Sequence, residues 1–71
     1  MDARVLIDLE KEFGANNYKP LPVALAKGRG VWVWDSNGRK YMDMLSAYSA
    51  VSHGHCHPAI VEAGREQMET L

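Results

Sequence analysis

Val31-Trp32-Val33-Trp34-Asp35-Ser36-Asn37-Gly38-Arg39-Lys40-Tyr41-Met42-Asp43-Met44-Leu45 sets two runs of β-branched, aromatic and thioether side chains on either side of Asn37-Gly38. Asn-Gly in that setting is the strongest short hairpin signal, because a type I′ turn needs positive φ at both central residues. With these two at the centre of the turn, Ser36 pairs with Arg39. Counting outward sets Trp34 opposite Tyr41, Val33 opposite Met42, Trp32 opposite Asp43 and Val31 opposite Met44. One face then carries Val31, Val33, Met42 and Met44, and the other Trp32, Trp34, Tyr41 and Asp43. Upstream, Val23-Ala24-Leu25 has the same period of two, and Lys27-Gly28-Arg29-Gly30 breaks it before Val31. Residues 22 to 45 therefore read as a three-stranded antiparallel meander, and neither of its faces suits bare water.

Outside the meander the period lengthens. Val5, Leu6, Leu9 and Phe13 recur at helical spacing, with Asp2 placed as an N-cap and Gly14 as a stop, so an amphipathic helix opens the chain. Two asparagines and two prolines between Ala15 and Pro22 oppose helix and favour an extended path. Ser46 to His57 is rich in small residues without a clean period and reads as a loop. Pro58 suits the first position of a second helix, whose apolar residues Ile60, Val61, Met68 and Leu71 have no evident partner. The organisation expected is thus a helix over 1–14, a loop and meander over 15–45, and a loop and helix over 46–71. That pattern is α+β locally and reads as the opening of a larger α/β protein.

Composition narrows the class. With 71 residues the chain holds one small domain at most, and chains of this size bury only about 60% of their unfolded surface. One cysteine, Cys56, rules out the internal disulfides that staple small secreted domains. Eight basic against nine acidic residues argue against nucleic acid or an anionic membrane as partner. No apolar run reaches the roughly 20 residues that cross a bilayer, and the opening MDARVLIDLEKEF lacks a signal-peptide core, so a cytoplasmic location is expected.

Few residues carry evident chemistry. His53, His55, Cys56 and His57 cluster, but structural metal sites draw a second pair of ligands from elsewhere, and no second His or Cys cluster exists. Nothing beside Cys56 marks it as a nucleophile. Gly28-x-Gly30 lacks the third glycine and the helix of a phosphate loop and reads as turn. The tryptophans lack the basic surround of a nucleic-acid stacking platform. By spacing alone Tyr18 and Tyr48 read as packing residues with satisfied hydroxyls.

Longer runs are more specific. Asn17-Tyr18-Lys19-Pro20-Leu21-Pro22-Val23, Gly30-Val31-Trp32-Val33-Trp34-Asp35 and Gly38-Arg39-Lys40-Tyr41 resemble the entry segment of the class III, fold type I aminotransferases. Asp43-Met44-Leu45-Ser46-Ala47-Tyr48-Ser49-Ala50-Val51 and Gly54-His55-Cys56-His57-Pro58 are similar to the ornithine aminotransferase version, over about residues 11 to 71. Ser52-His53 departs from the Asn-Gln usual there. The resemblance implies transfer of the δ-amino group of ornithine to 2-oxoglutarate on pyridoxal 5′-phosphate, in a homodimer or higher homo-oligomer. It also implies that the catalytic lysine, the acid at the pyridine nitrogen and the carboxylate-binding arginine lie outside these residues, and that the helix after Pro58 leads into the large cofactor domain. Two substrate contacts carry over: Tyr18 matches the tyrosine that holds the α-amino acid end of ornithine, and Tyr48 a second tyrosine that shapes the pocket for an ω-amine. The competing readings are a class III enzyme acting on acetylornithine or 4-aminobutyrate, and a small module that binds through its Trp-Tyr face.

Overall fold

In the computed structural model, which describes residues 2–71, the meander is present. Helix α1 (Ala3–Phe13) is followed by β1 (Leu25–Arg29), β2 (Trp32–Asp35), β3 (Lys40–Met42) and helix α2 (Pro58–Thr70). The sheet order is β1-β2-β3 and both pairings are antiparallel.

The β2–β3 register differs by one residue from the sequence expectation. Trp32 pairs with Met42, Val33 with Tyr41 and Trp34 with Lys40. The cause is the turn. Asp35 N–H donates to the Arg39 carbonyl at 2.9 Å, and Gly38 N–H donates to the Asp35 carbonyl at 3.0 Å, so the loop is Ser36-Asn37-Gly38 rather than Asn37-Gly38. Only Gly38 takes positive φ, 88°, as in a type I turn closed by a left-handed glycine. Asp35 Oδ1 accepts the N–H groups of Asn37 and Arg39, each at 2.9 Å, and stabilises this wider loop.

A slip of one residue turns every β3 side chain to the other face. Trp34 and Tyr41 therefore lie on opposite faces, contrary to expectation. Trp32, Trp34 and Met42 share one face with Lys40, whose ammonium sits 4.0 Å from the Trp32 ring centre. Lys27 adds a second cation 5.1 Å from Trp34. Val33 and Tyr41 share the other face, and Asp43 joins them by donating its N–H to the Val31 carbonyl at 2.7 Å.

The first strand also lies further along the chain than its apolar residues suggested. Only Leu25 of Val23-Ala24-Leu25 is in β1, which continues through Lys27, Gly28 and Arg29 after an irregularity between Leu25 and Lys27. Arg29 pairs with Trp32, leaving Gly30-Val31 as a two-residue turn with Gly30 at φ 60°. Glycine at the first central position suits the type II′ hairpin.

Both helices form where the sequence placed them, with the expected N-cap, stop and proline start, but α1 buries a different face. Asp2 occupies the N-cap of α1, but its side chain makes no capping hydrogen bond. Gly14 closes that helix by donating to the Glu10 carbonyl at 2.7 Å. Leu6 and Ile7 of α1 are half-buried, whereas Val5, Leu9 and Phe13 of the expected stripe are exposed. Pro58 begins α2, whose N-cap His57 accepts the Ala59 N–H on Nδ1 at 3.2 Å. Among the described residues Val33 alone is a buried apolar side chain.

Candidate functional site

Past β3 the backbone enters a conformation that L-residues avoid. Ser46, Ala47, Tyr48 and Ser49 all have positive φ, at 57°, 49°, 56° and 75°. Each non-glycine residue there costs about 1–2 kcal/mol, so a run of four persists only where surrounding bonds over-determine it. Val51 N–H donates to the Ser46 carbonyl at 3.2 Å, and Ala50 N–H to the Ala47 carbonyl at 3.1 Å. The resulting left-handed turn holds Tyr48 at its middle with the residue 87% exposed. Such strain gathers where a side chain must be aimed.

Asp43 anchors the entry of this turn. Its Oδ1 accepts Leu45 N–H at 3.0 Å and Ser46 N–H at 2.9 Å, and its Oδ2 lies 2.6 Å from His55 Nε2. The Ser46 N–H chiefly, with His55 and the Leu45 N–H, holds the Asp43 carboxyl below the usual carboxylate range. An ionised carboxylate only accepts, so His55 presents Nε2–H to it. His55 is itself pinned to the sheet, exchanging backbone bonds with Gly30 at 3.0 and 2.9 Å.

Tyr18 lies elsewhere. Asn16, at φ 56°, turns the chain out of α1, and its Nδ2 donates to the Lys11 and Gly14 carbonyls, both at 3.2 Å. The following segment folds back along the helix. Between them opens a cleft of about 580 Å³, lined by Leu6, Ile7, Tyr18, Pro20, Leu21 and Val23 among others. Tyr48 is not part of it. A smaller hollow of about 220 Å³ between the 50–57 loop and α2 includes neither tyrosine. The two expected substrate residues are thus both exposed and are not brought together by these contacts.

The His-Cys-His run disperses into separate tasks. His55 meets Asp43, His57 caps α2, and Cys56 is exposed with φ 52°. No three His, Cys, Asp or Glu side chains gather as a metal site among the described residues. A lysine that forms an imine is activated by burial or by a neighbouring cation. Lys11, Lys19, Lys27 and Lys40 are all exposed, and Lys27 and Lys40 lie over indoles, so residues 2–71 do not by themselves fit a carbonyl cofactor. Sequence reasoning missed Asp43, His55 and Gly28. An aspartate two and three residues before turn amides is a local signal for the first. Nothing local foretells the other two, which meet across the fold.

Comparison with known proteins identifies the family. The aminotransferase class-III family matches residues 13–71. A probable mitochondrial ornithine aminotransferase from Caenorhabditis elegans is 55% identical over 71 residues, 100% of this chain and 17% of that protein. Among solved structures, an acetylornithine aminotransferase from Elizabethkingia anophelis superposes with TM-score 0.93 at 57% identity, covering 99% of this chain and 18% of the other. The ornithine delta-aminotransferase of Plasmodium falciparum gives 0.91 at 45% identity over 100% of this chain and 18% of its own. This chain therefore spans less than a fifth of the length of these relatives, and across nearly all of its own length it belongs to the class III aminotransferases.

Proposed function

We propose that this chain is the amino-terminal segment of an ornithine aminotransferase, which moves the δ-amino group of ornithine to 2-oxoglutarate and yields glutamate 5-semialdehyde and glutamate. The observation that carries the proposal is the outward presentation of Tyr48 on a strained turn, in a chain similar to ornithine aminotransferases along its whole length. Pyridoxal 5′-phosphate is the cofactor implied, and its binding groups belong to other parts of the enzyme. Residues 1–14 and 15–45 form the small entry region, and residues 46–71 lead toward the cofactor domain. A homodimer or higher homo-oligomer and a cytoplasmic location, where Cys56 stays reduced, complete the proposal.

The contribution of this chain is selection. Tyr18 donates a hydrogen bond to the α-amino acid end of ornithine, and Tyr48 shapes the pocket around the reacting end. Phenols add a directed hydrogen bond without adding charge, and a site built on such bonds rejects molecules lacking the partner group. In the full-length enzyme Tyr18→Phe weakens ornithine use while sparing an amine donor without an α-amino acid group. A lost bond to a charged group is worth about 1.5–3 kcal/mol, or roughly ten- to hundredfold in kcat/KM. Tyr48→Phe shifts the preference between ω-amine and α-amine donors. Equal losses for all donors in both variants would return the tyrosines to packing. The 57% identity to the Elizabethkingia protein favours acetylornithine as the second reading, and the ratio of turnover on ornithine and acetylornithine decides between the two.

A further inference from the structure

We infer that Asp43 and His55 are a positioning pair that aims Tyr48 by clamping the left-handed turn onto the β1–β2 hairpin, and that Gly28 is the seat that lets the clamp close. The functional half of this inference rests on the substrate reading of Tyr48 given above. Its mechanical half rests on geometry alone.

The Ser46–Ser49 turn cannot hold four left-handed residues by local bonding, because its two internal hydrogen bonds leave its entry free to unwind. Asp43 fixes that entry through the amides of Leu45 and Ser46. A carboxylate bonded only to the amides beside it would move with them, and what stops it is His55, 12 residues further on, at 2.6 Å from the other oxygen. His55 in turn has no freedom of its own, since its N–H and carbonyl both pair with Gly30 at the tip of the hairpin. The chain of restraint therefore runs from the hairpin through His55 and Asp43 to the turn.

Two glycines make the approach possible. A Cβ on Gly28 would stand 2.8 Å from His55 Cβ and 2.9 Å from Cγ, closer than van der Waals contact allows. A Cβ on Gly54 would meet the Gly30 backbone at 3.0 Å. The loop thus lies directly on the sheet where Gly28 is bare, and that contact sets the height of the imidazole beneath Asp43. Asp43 and His55 touch no reacting atom in this assignment. They act through the turn.

The test uses the full-length enzyme with His55→Leu, Asp43→Asn and Gly28→Ala, and two readouts. The first is amide hydrogen exchange of residues 44–51, expected to be at least roughly tenfold faster in all three, with α2 unchanged, because local opening reports the lost clamp. The second is the ω-amine to α-amine donor preference, expected to move as it does in Tyr48→Phe. The double variant Tyr48→Phe/His55→Leu should show no larger shift than Tyr48→Phe alone, since coupled residues are not additive. His55→Gln keeps an N–H donor and should recover part of both, which also serves if the leucine variant does not fold. Unchanged exchange over 44–51, or independent multiplication of the two effects on donor preference, overturns the inference. Faster exchange in a protein whose donor preference ignores Tyr48→Phe overturns the substrate reading instead and leaves the clamp standing.

Discussion

Asp35 decides the shape of the sheet more than the Asn37-Gly38 pair that follows it. Its carboxylate accepts the N–H groups of Asn37 and Arg39 on one oxygen and the Tyr41 hydroxyl, at 2.8 Å, on the other. The Arg39 N–H chiefly lowers its pKa; burial opposes this, and the Tyr41 hydroxyl, the Asn37 N–H and the Arg39 charge add to the lowering. A carboxylate whose folded pKa lies below its unfolded one contributes stability above the ordinary value near 3.9, and that contribution is lost as pH falls through the folded pKa. The same hydrogen bond raises the Tyr41 pKa, so its stabilisation is complete below the ordinary value near 10 and disappears as pH rises through the higher folded value. Two outcomes are expected from an NMR titration. The Arg39 amide resonance should move only below the usual carboxylate range, and Tyr41 should ionise above the usual phenol range. Asp35→Asn should abolish the first step and bring the second down toward 10. A Tyr41 titration indifferent to Asp35→Asn would mean that the 2.8 Å contact does not form in solution.

At the scale of elements, what was legible in the sequence was kind and order rather than register. Period-two runs identified β2 and β3, and Pro58 marked the start of α2, because these signals are local to the backbone that obeys them. The register was not legible, since a two-residue loop and a three-residue loop both use Asn-Gly, and a side-chain carboxylate selects between them. The first strand ran past its apolar residues because Lys27-Gly28-Arg29 pair through backbone groups that hydrophobicity does not report. Tyr18 and Tyr48 were legible only through family resemblance. Their settings, a groove beside α1 and a left-handed turn, depend on contacts distant in sequence. Two glycines test how far local backbone preference governs these elements. Gly38, at φ 88°, has no heavy atom within 4 Å of the place a Cβ would take, so Gly38→Ala suffers backbone strain alone, about 1–2 kcal/mol. Gly64 lies inside α2 with the same open space, and there alanine is the better helix former by about 1 kcal/mol. Circular dichroism should therefore show Gly64→Ala raising helix content and Gly38→Ala lowering sheet stability. A neutral Gly38→Ala would mean that the three-residue turn is not the one populated.

The whole molecule exposes more surface than its mass accounts for. Its accessible area is 6363 Å² at 7.9 kDa, whereas a folded monomer of that mass exposes about 4,400 Å² by the usual scaling. The excess, about 2,000 Å² on this one chain, is more than twice the roughly 800 Å² that each partner buries in a standard protein–protein interface. It is also apolar in character: Phe13, Leu21, Met44 and Met68 are at least three-quarters exposed, while Val33 is the buried member of the core among the described residues. Apolar side chains stay exposed beside Trp32 and Met42 on the sheet and along α2, the surface that the larger domain of the proposed enzyme would cover. Prepared as these 71 residues alone, the chain should lose its far-ultraviolet dichroism gradually on heating, bind a hydrophobic dye, and sediment as a mixture rather than as one monomer. Supplying the rest of the enzyme in trans should sharpen the melt and displace the dye, because cover over Met44, Leu45 and Ile60 removes the surface to which the dye binds. A cooperative melt at monomer mass with no dye bound would contradict this account and would mean that the segment folds without the cover of a larger domain.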